Sequence, residues 1–225
     1  MQVSKEIESL VPYQAGKPID ETKREYGIDT VYKLASNENP LGLSSKVKEA
    51  ILNNLDSLHR YPDASCHDLV QFLSKREGLD PDNLVITNGS NEAIDLLIRV
   101  FCQKGDQVLT SQYAFIAYKI CAQAAGIGCT EVPIKDDYKI DLAAFKNQWT
   151  PKHKVIFLPN PNNPTGSYFN KEEWQGFLDF FGNKEDVLVV LDEAYVEFDF
   201  IKDKIEIDDE IQCIEAELMY RNGNS

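Results

Sequence analysis

Three short polar stretches in this chain each follow an apolar run, and each carries residues that could hold a ligand. Asn88-Gly89-Ser90-Asn91-Glu92 follows 84–87, Pro159-Asn160-Pro161-Asn162-Asn163-Pro164-Thr165-Gly166 follows 155–158, and Asp192-Glu193-Ala194-Tyr195 follows 187–191. In the first, Gly89 permits a tight turn, and Ser90 and Asn91 open a helix. The amides of a helix N-terminus beside a hydroxyl suit a phosphate, although a plain capped turn needs the same residues. In the second, the prolines fix φ and remove donors, so Asn163 before Pro164 is held extended with its amide at one angle. A rigid turn satisfies that pattern too. In the third, Asp192 ends a buried run, where a carboxylate is costly unless it meets a cation or a strong donor. The simpler alternative is an aspartate capping the next turn.

The elements that would carry these stretches follow from periodicity. Apolar residues recur at helical spacing in 44–58 (Val47, Ile51, Leu55, Leu58) and in 67–77, where Leu69, Phe72 and Leu73 should point inward and Gly78 should cap. A strand is expected over 84–87, then a helix burying Ile94, Leu97, Ile98 and Phe101. Strand patterns follow at 107–110, 129–134, 154–158 and 187–191, with helical patterns at 114–125, 141–147 and 171–182 between them. In the last helix Trp174, Phe177, Leu178 and Phe181 form the apolar face, and Asn170 with Glu173 forms an N-cap pair. Alternating strands and amphipathic helices predict an α/β domain with a mostly parallel sheet. Ligands of such sheets bind beyond the carboxyl ends of the strands, which is where all three polar stretches fall.

Composition narrows the function classes. The 225 residues carry a net charge of −14, which argues against nucleic acid and membrane surfaces as partners. No run of eighteen apolar residues occurs, and the first eight residues do not read as a signal peptide. The five cysteines (Cys66, Cys102, Cys121, Cys129, Cys213) are dispersed without a CxxC pair, as expected of reduced thiols in a cytoplasmic protein. His59, His67 and His153 lack metal-ligand spacing, so no metal site is expected, and they read as surface or packing residues. Taken together, a phosphate cradle, a fixed amide and a buried carboxylate match pyridoxal 5′-phosphate (PLP), whose pyridine nitrogen must stay protonated if the ring is to accept electrons.

At this point the sequence resembles the fold-type I PLP-dependent aminotransferases, most closely the histidinol-phosphate aminotransferase group. The resemblance is carried by PYQAGKP at 12–18, KLASNENPLG at 33–42, RYPD at 60–63, TNGSNEAIDLL at 87–97, PNPNNPTG at 159–166 and DEAYVEF at 192–198. It implies a three-layer α/β/α large domain, incomplete here, with an N-terminal arm and loop segment at 1–45, the PLP-binding part at 46–198 and an unrelated acidic tail at 199–225. The family's small C-terminal domain has no counterpart. The resemblance also implies roles. Asp192 would pair with the pyridine nitrogen, and Asn163 and Tyr195 would bind the 3′-oxygen. Ser90 with the amides of Gly89, Ser90 and Asn91 would hold the phosphate. Tyr113 would stack on the ring, with Phe115 as the alternative. Tyr61 would reach the phosphate of a neighbouring subunit, implying a homodimer, and Tyr13 and Asn37 would line the substrate pocket.

The implied reaction is amino-group exchange between L-histidinol phosphate and 2-oxoglutarate, in histidine biosynthesis. A threonine-phosphate decarboxylase, an aromatic aminotransferase or a non-catalytic PLP-binding or dimer-partner remnant are the alternatives. The family's cofactor-bearing lysine lies in a Ser-Lys motif some tens of residues after DEAY, and no Ser-Lys pair follows Phe198 in this sequence. The chain is therefore expected to be truncated and inactive alone.

Overall fold

A sheet of four parallel strands is built from the apolar runs of the C-terminal half. The strands are β1 (Gln107–Ser111), β2 (Gly128–Val132), β3 (His153–Pro159) and β4 (Leu188–Asp192), in the order β2-β1-β3-β4. Parallel neighbours require a crossover, and helices supply each one. The helices of the chain are α1 (Lys5–Glu8), α2 (Ile19–Tyr26), α3 (Ser45–Asn54), α4 (His67–Glu77), α5 (Ser90–Phe101), α6 (Ala117–Ala124), α7 (Leu142–Gln148) and α8 (Lys171–Phe181). The structure, a computed structural model, describes residues 3–13, 15–39 and 41–196. Phe198, Cys213, the acidic tail and its apolar residues Ile207, Ile211, Ile214 and Leu218 lie outside the described residues.

Side chains alternate across a strand, and here both faces are covered. Ile156 and Leu158 of β3 join a core with Phe145 of α7 and with Trp174, Phe177, Leu178 and Phe181 of α8. Val155 and Phe157 point the other way, into a core with Ile94, Leu97 and Ile98 of α5 and Ala117, Tyr118 and Ala122 of α6. The result is the expected three-layer α/β/α arrangement. Because β3 and β4 are buried on both sides, they read as unbroken apolar runs and not as alternating ones.

Among the described residues the chain divides into two compact units, one formed by 3–13 with 87–196 and the other by the described part of 14–86. The sheet and its helices belong to the first. In the second, α4 ends as expected at Gly78, whose φ of +74° suits glycine.

Three expectations need correction. No strand forms over 84–87, and Val85 is 78% exposed. An apolar run can only become a strand where a neighbour takes its N–H and C=O groups, and the four paired strands do not include this segment. Phe72 is 60% exposed, so α4 buries Leu73 without it. Phe101, at the last turn of α5, is 48% exposed while Ile94, Leu97 and Ile98 are buried. In both helices the period finds the apolar face, but which residues at its rim are covered depends on the packing partner.

The N-cap pair of α8 forms as expected. Asn170 Oδ1 accepts the Glu173 N–H at 2.9 Å, and the Asn170 N–H donates to Glu173 Oε2 at 3.0 Å. Asn170→Ala should lower stability by about 1 kcal/mol, the usual worth of such a cap. Urea denaturation would measure it, with Asn170→Ser avoiding most of the loss because serine also caps well.

Candidate cofactor site

The carboxyl ends of β3 and β4 and the start of α5 meet around one cavity. It is lined by Ser90 of α5, Phe115 before α6, Pro159, Pro161 and Asn163 beyond β3, and Asp192, Ala194 and Tyr195 at the end of β4. All of these lie in the unit that contains the sheet.

The proline-rich loop separates its three asparagines by task. Asn160 continues the ladder, its N–H donating to the Asp192 carbonyl at 2.9 Å. Its buried side chain staples the loop, with Nδ2 donating to the Phe169 carbonyl at 3.3 Å and Oδ1 accepting the Phe169 N–H at 3.0 Å. Asn162 donates to the Tyr113 carbonyl at 3.1 Å and to Thr165 Oγ1 at 2.7 Å. Gly166, at φ +69°, turns the chain so that its N–H reaches the Asn162 carbonyl at 2.8 Å. The Asn160–Pro161 and Asn163–Pro164 peptide bonds are cis. Asn163 alone of the three lines the cavity, and its Nδ2 donates to the Tyr195 hydroxyl at 3.3 Å.

On the phosphate side, Gly89 takes φ +74° as the N-cap of α5, a conformation costly for any residue with a Cβ. Ser90 is 6% exposed at the first helical position, and Asn91 follows on the surface. The opening turn of the helix leaves N–H groups without intrahelical partners, next to the Ser90 hydroxyl. Glu92 Oε2 takes the Asn88 N–H at 2.6 Å and holds the turn in place.

Asp192 is 5% exposed and has no ion pair among the described residues. Its Oδ1 accepts the Ala194 N–H at 3.1 Å, which is the turn-capping role, and its Oδ2 accepts the Tyr118 hydroxyl at 2.5 Å. Burial pushes the Asp192 carboxyl above its ordinary range, opposed by the Tyr118 hydroxyl and the Ala194 N–H. Burial likewise raises the Tyr118 hydroxyl, reinforced by the neighbouring Asp192 charge. One oxygen thus caps the turn, as the simpler alternative has it, and the carboxylate also lines the cavity.

The other expected site residues are placed differently. Tyr113 is not part of the cavity lining; it sits at φ +56°, with its ring 6.3 Å from that of Tyr138. Phe115 lines the cavity where Tyr113 was expected, because the turn after β1 sends Tyr113 outward. Tyr13 is 65% exposed and does not line the cavity. Asn37 and Tyr61 are exposed residues of the 14–86 unit. Tyr118 was not anticipated. Its place three residues after Phe115 on a buried helix face reads as ordinary core, and nothing local announces the contact with Asp192, 74 residues away.

The pattern of the family described as aminotransferase class I and II matches residues 29–216. The chain belongs to that family. It is 50% identical over 208 residues to the histidinol-phosphate aminotransferase of Bdellovibrio bacteriovorus, covering 90% of this chain and 56% of that protein. It is 43% identical over 200 residues to histidinol-phosphate aminotransferase 2 of Haemophilus influenzae, covering 89% and 54%. The crystal structure of the Sinorhizobium meliloti histidinol-phosphate aminotransferase in complex with pyridoxal-5′-phosphate superposes with a TM-score of 0.80 at 26% identity, over 96% of this chain and 58% of that one. This aminotransferase chain thus spans little more than half the length of the relatives it matches. No helix among its described residues is long and apolar enough to cross a membrane.

Proposed function

We propose that this chain is the cofactor-binding portion of a cytoplasmic, homodimeric histidinol-phosphate aminotransferase. The observation that carries the reading is Asp192: a buried carboxylate with no cation beside it among the described residues, facing a cavity that also holds an amide–phenol pair and a helix N-terminus. Those donors and acceptors fit PLP. Bound there, PLP would supply an electron-accepting ring for amino-group transfer.

The chain's own groups divide the work. Asp192 would hold the pyridine proton, and Asn163 and Tyr195, already bonded to each other, would share the 3′-oxygen. Ser90 and the amides of Gly89, Ser90 and Asn91 would take the phosphate. Phe115 is better placed than Tyr113 to cover the ring, since it lines the cavity. Tyr61 would reach a phosphate of the neighbouring subunit, and Tyr13 and Asn37 would serve the substrate. Residues 199–225 hold no Ser-Lys pair, so PLP bound by these 225 residues would be held by the contacts above without a covalent link.

Titration of the chain with PLP, followed by absorbance, should give saturable and dialysable binding with no borohydride-trapped lysine. L-histidinol phosphate should perturb the bound spectrum at lower concentration than phosphothreonine or tyrosine does. Absence of saturable binding would sink the cofactor reading. A reversed order of ligands would sink the substrate.

A further inference from the structure

Tyr118 is fully buried in the first turn of α6, and its ring is clamped on two sides. It stacks on Phe157 with centroids 4.7 Å apart and planes 5° from parallel, and meets Phe115 edge-on at 5.9 Å. A ring so held has little freedom to move its hydroxyl, which donates to Asp192 Oδ2. With Ala194 N–H on Oδ1, both carboxylate oxygens are fixed, and each keeps a further acceptor site.

We propose that Tyr118 is a positioning residue for Asp192: its hydroxyl fixes the carboxylate and tempers its basicity, so that a proton shared with a bound pyridine stays on the ring nitrogen. The inference rests on the cofactor reading above. A carboxylate that is buried and stripped of donors becomes a strong base and would take the shared proton itself. A hydrogen bond to its charged form opposes that. Tyr118 does not line the cavity, so it acts through Asp192. Among the described residues, the titratable groups around Asp192 are Tyr118 from α6 and Glu193 and Tyr195 from the turn that follows it. Tyr195 already takes the Asn163 amide, and Glu193 is buried with a partner of its own. Tyr118 is the one whose hydroxyl donates to the carboxylate.

The test compares Tyr118→Phe with the parent chain, first without cofactor. The 13Cγ resonance of Asp192 followed against pH gives its midpoint, which should rise in Tyr118→Phe. It should fall when 3-fluorotyrosine, a stronger acid on nearly the same ring, is incorporated in place of Tyr118. With ring-15N-labelled PLP bound at saturation, the 15N resonance in Tyr118→Phe should move toward that of an unprotonated pyridine. Affinity for PLP should fall by about tenfold or less, the worth of a neutral hydrogen bond. An unmoved Asp192 midpoint, or an unmoved 15N resonance, overturns the assignment. If the parent chain fails to bind PLP, the cofactor reading fails instead, and the Asp192 titration alone decides whether Tyr118 governs that carboxyl. If Tyr118→Phe does not fold by near-ultraviolet circular dichroism, the fluorotyrosine chain carries the same titration.

Discussion

Asp192→Asn should weaken PLP binding about 10- to 150-fold while making the cofactor-free chain more resistant to urea at neutral pH. The loss follows from replacing a charge-assisted hydrogen bond to the pyridine nitrogen, worth about 1.5–3 kcal/mol, by a neutral group of the same shape. The gain follows from burial. The Asp192 carboxyl is held above its ordinary value of 3.8, chiefly because it is buried. A carboxyl raised on folding contributes stability that is fully present below its unfolded value and is lost as pH rises through its folded value. At neutral pH the folded chain therefore bears the cost of that charge. Asparagine can keep the local bonds, accepting the Ala194 N–H and donating to the Tyr118 oxygen. Urea midpoints between pH 4 and 8 should show the parent losing stability toward neutrality, with a flatter profile for Asp192→Asn. A variant that is less stable than the parent at neutral pH, or that binds PLP as tightly, would show that Asp192 is a structural residue.

The largest loss of stability is expected on the opposite face of the sheet. Phe177 of α8 is fully buried, stacked on Trp174 at 5.5 Å, against Phe181 at 4.5 Å and edge-on to Phe145 at 6.2 Å. Phe177→Ala would remove the centre of that cluster and leave a cavity its rigid neighbours cannot close. The cost should be about 3–5 kcal/mol, a large share of the roughly 5–15 kcal/mol that holds a domain together. The same core contains Leu158 and Leu191, the residues that precede Pro159 and Asp192 in the cavity. Cooperative urea unfolding would measure the effect; a loss below about 1 kcal/mol would mean that α8 is not anchored through this face.

Much of the architecture was legible because burial imposes a local pattern. The doubly covered strands β3 and β4 had to be continuous apolar runs, and α8 had to carry its aromatic residues on one face with Asn170 at its start. The three polar stretches stood out because they follow such runs. Where pattern and structure part, the missing information is a neighbour. The run at 84–87 has strand composition but no paired partner among the described strands, and Phe72 and Phe101 keep their helical phase on the exposed rim.

The site divides in the same way. By itself the sequence determined which residue types could bind PLP, in which order along the chain, and that the 159–166 and 192–195 stretches fall at strand ends, since these depend on chemistry and on periods of a few residues. Only the tertiary structure decided which of the candidates share a cavity. It set Asn163 apart from Asn160 and Asn162, put Phe115 in place of Tyr113, and brought Tyr118 to Asp192. Those outcomes depend on how α6 crosses from β1 to β2 and on where the turns aim their side chains. Contacts between residues far apart in sequence are set by that packing, and no short stretch of the chain encodes them.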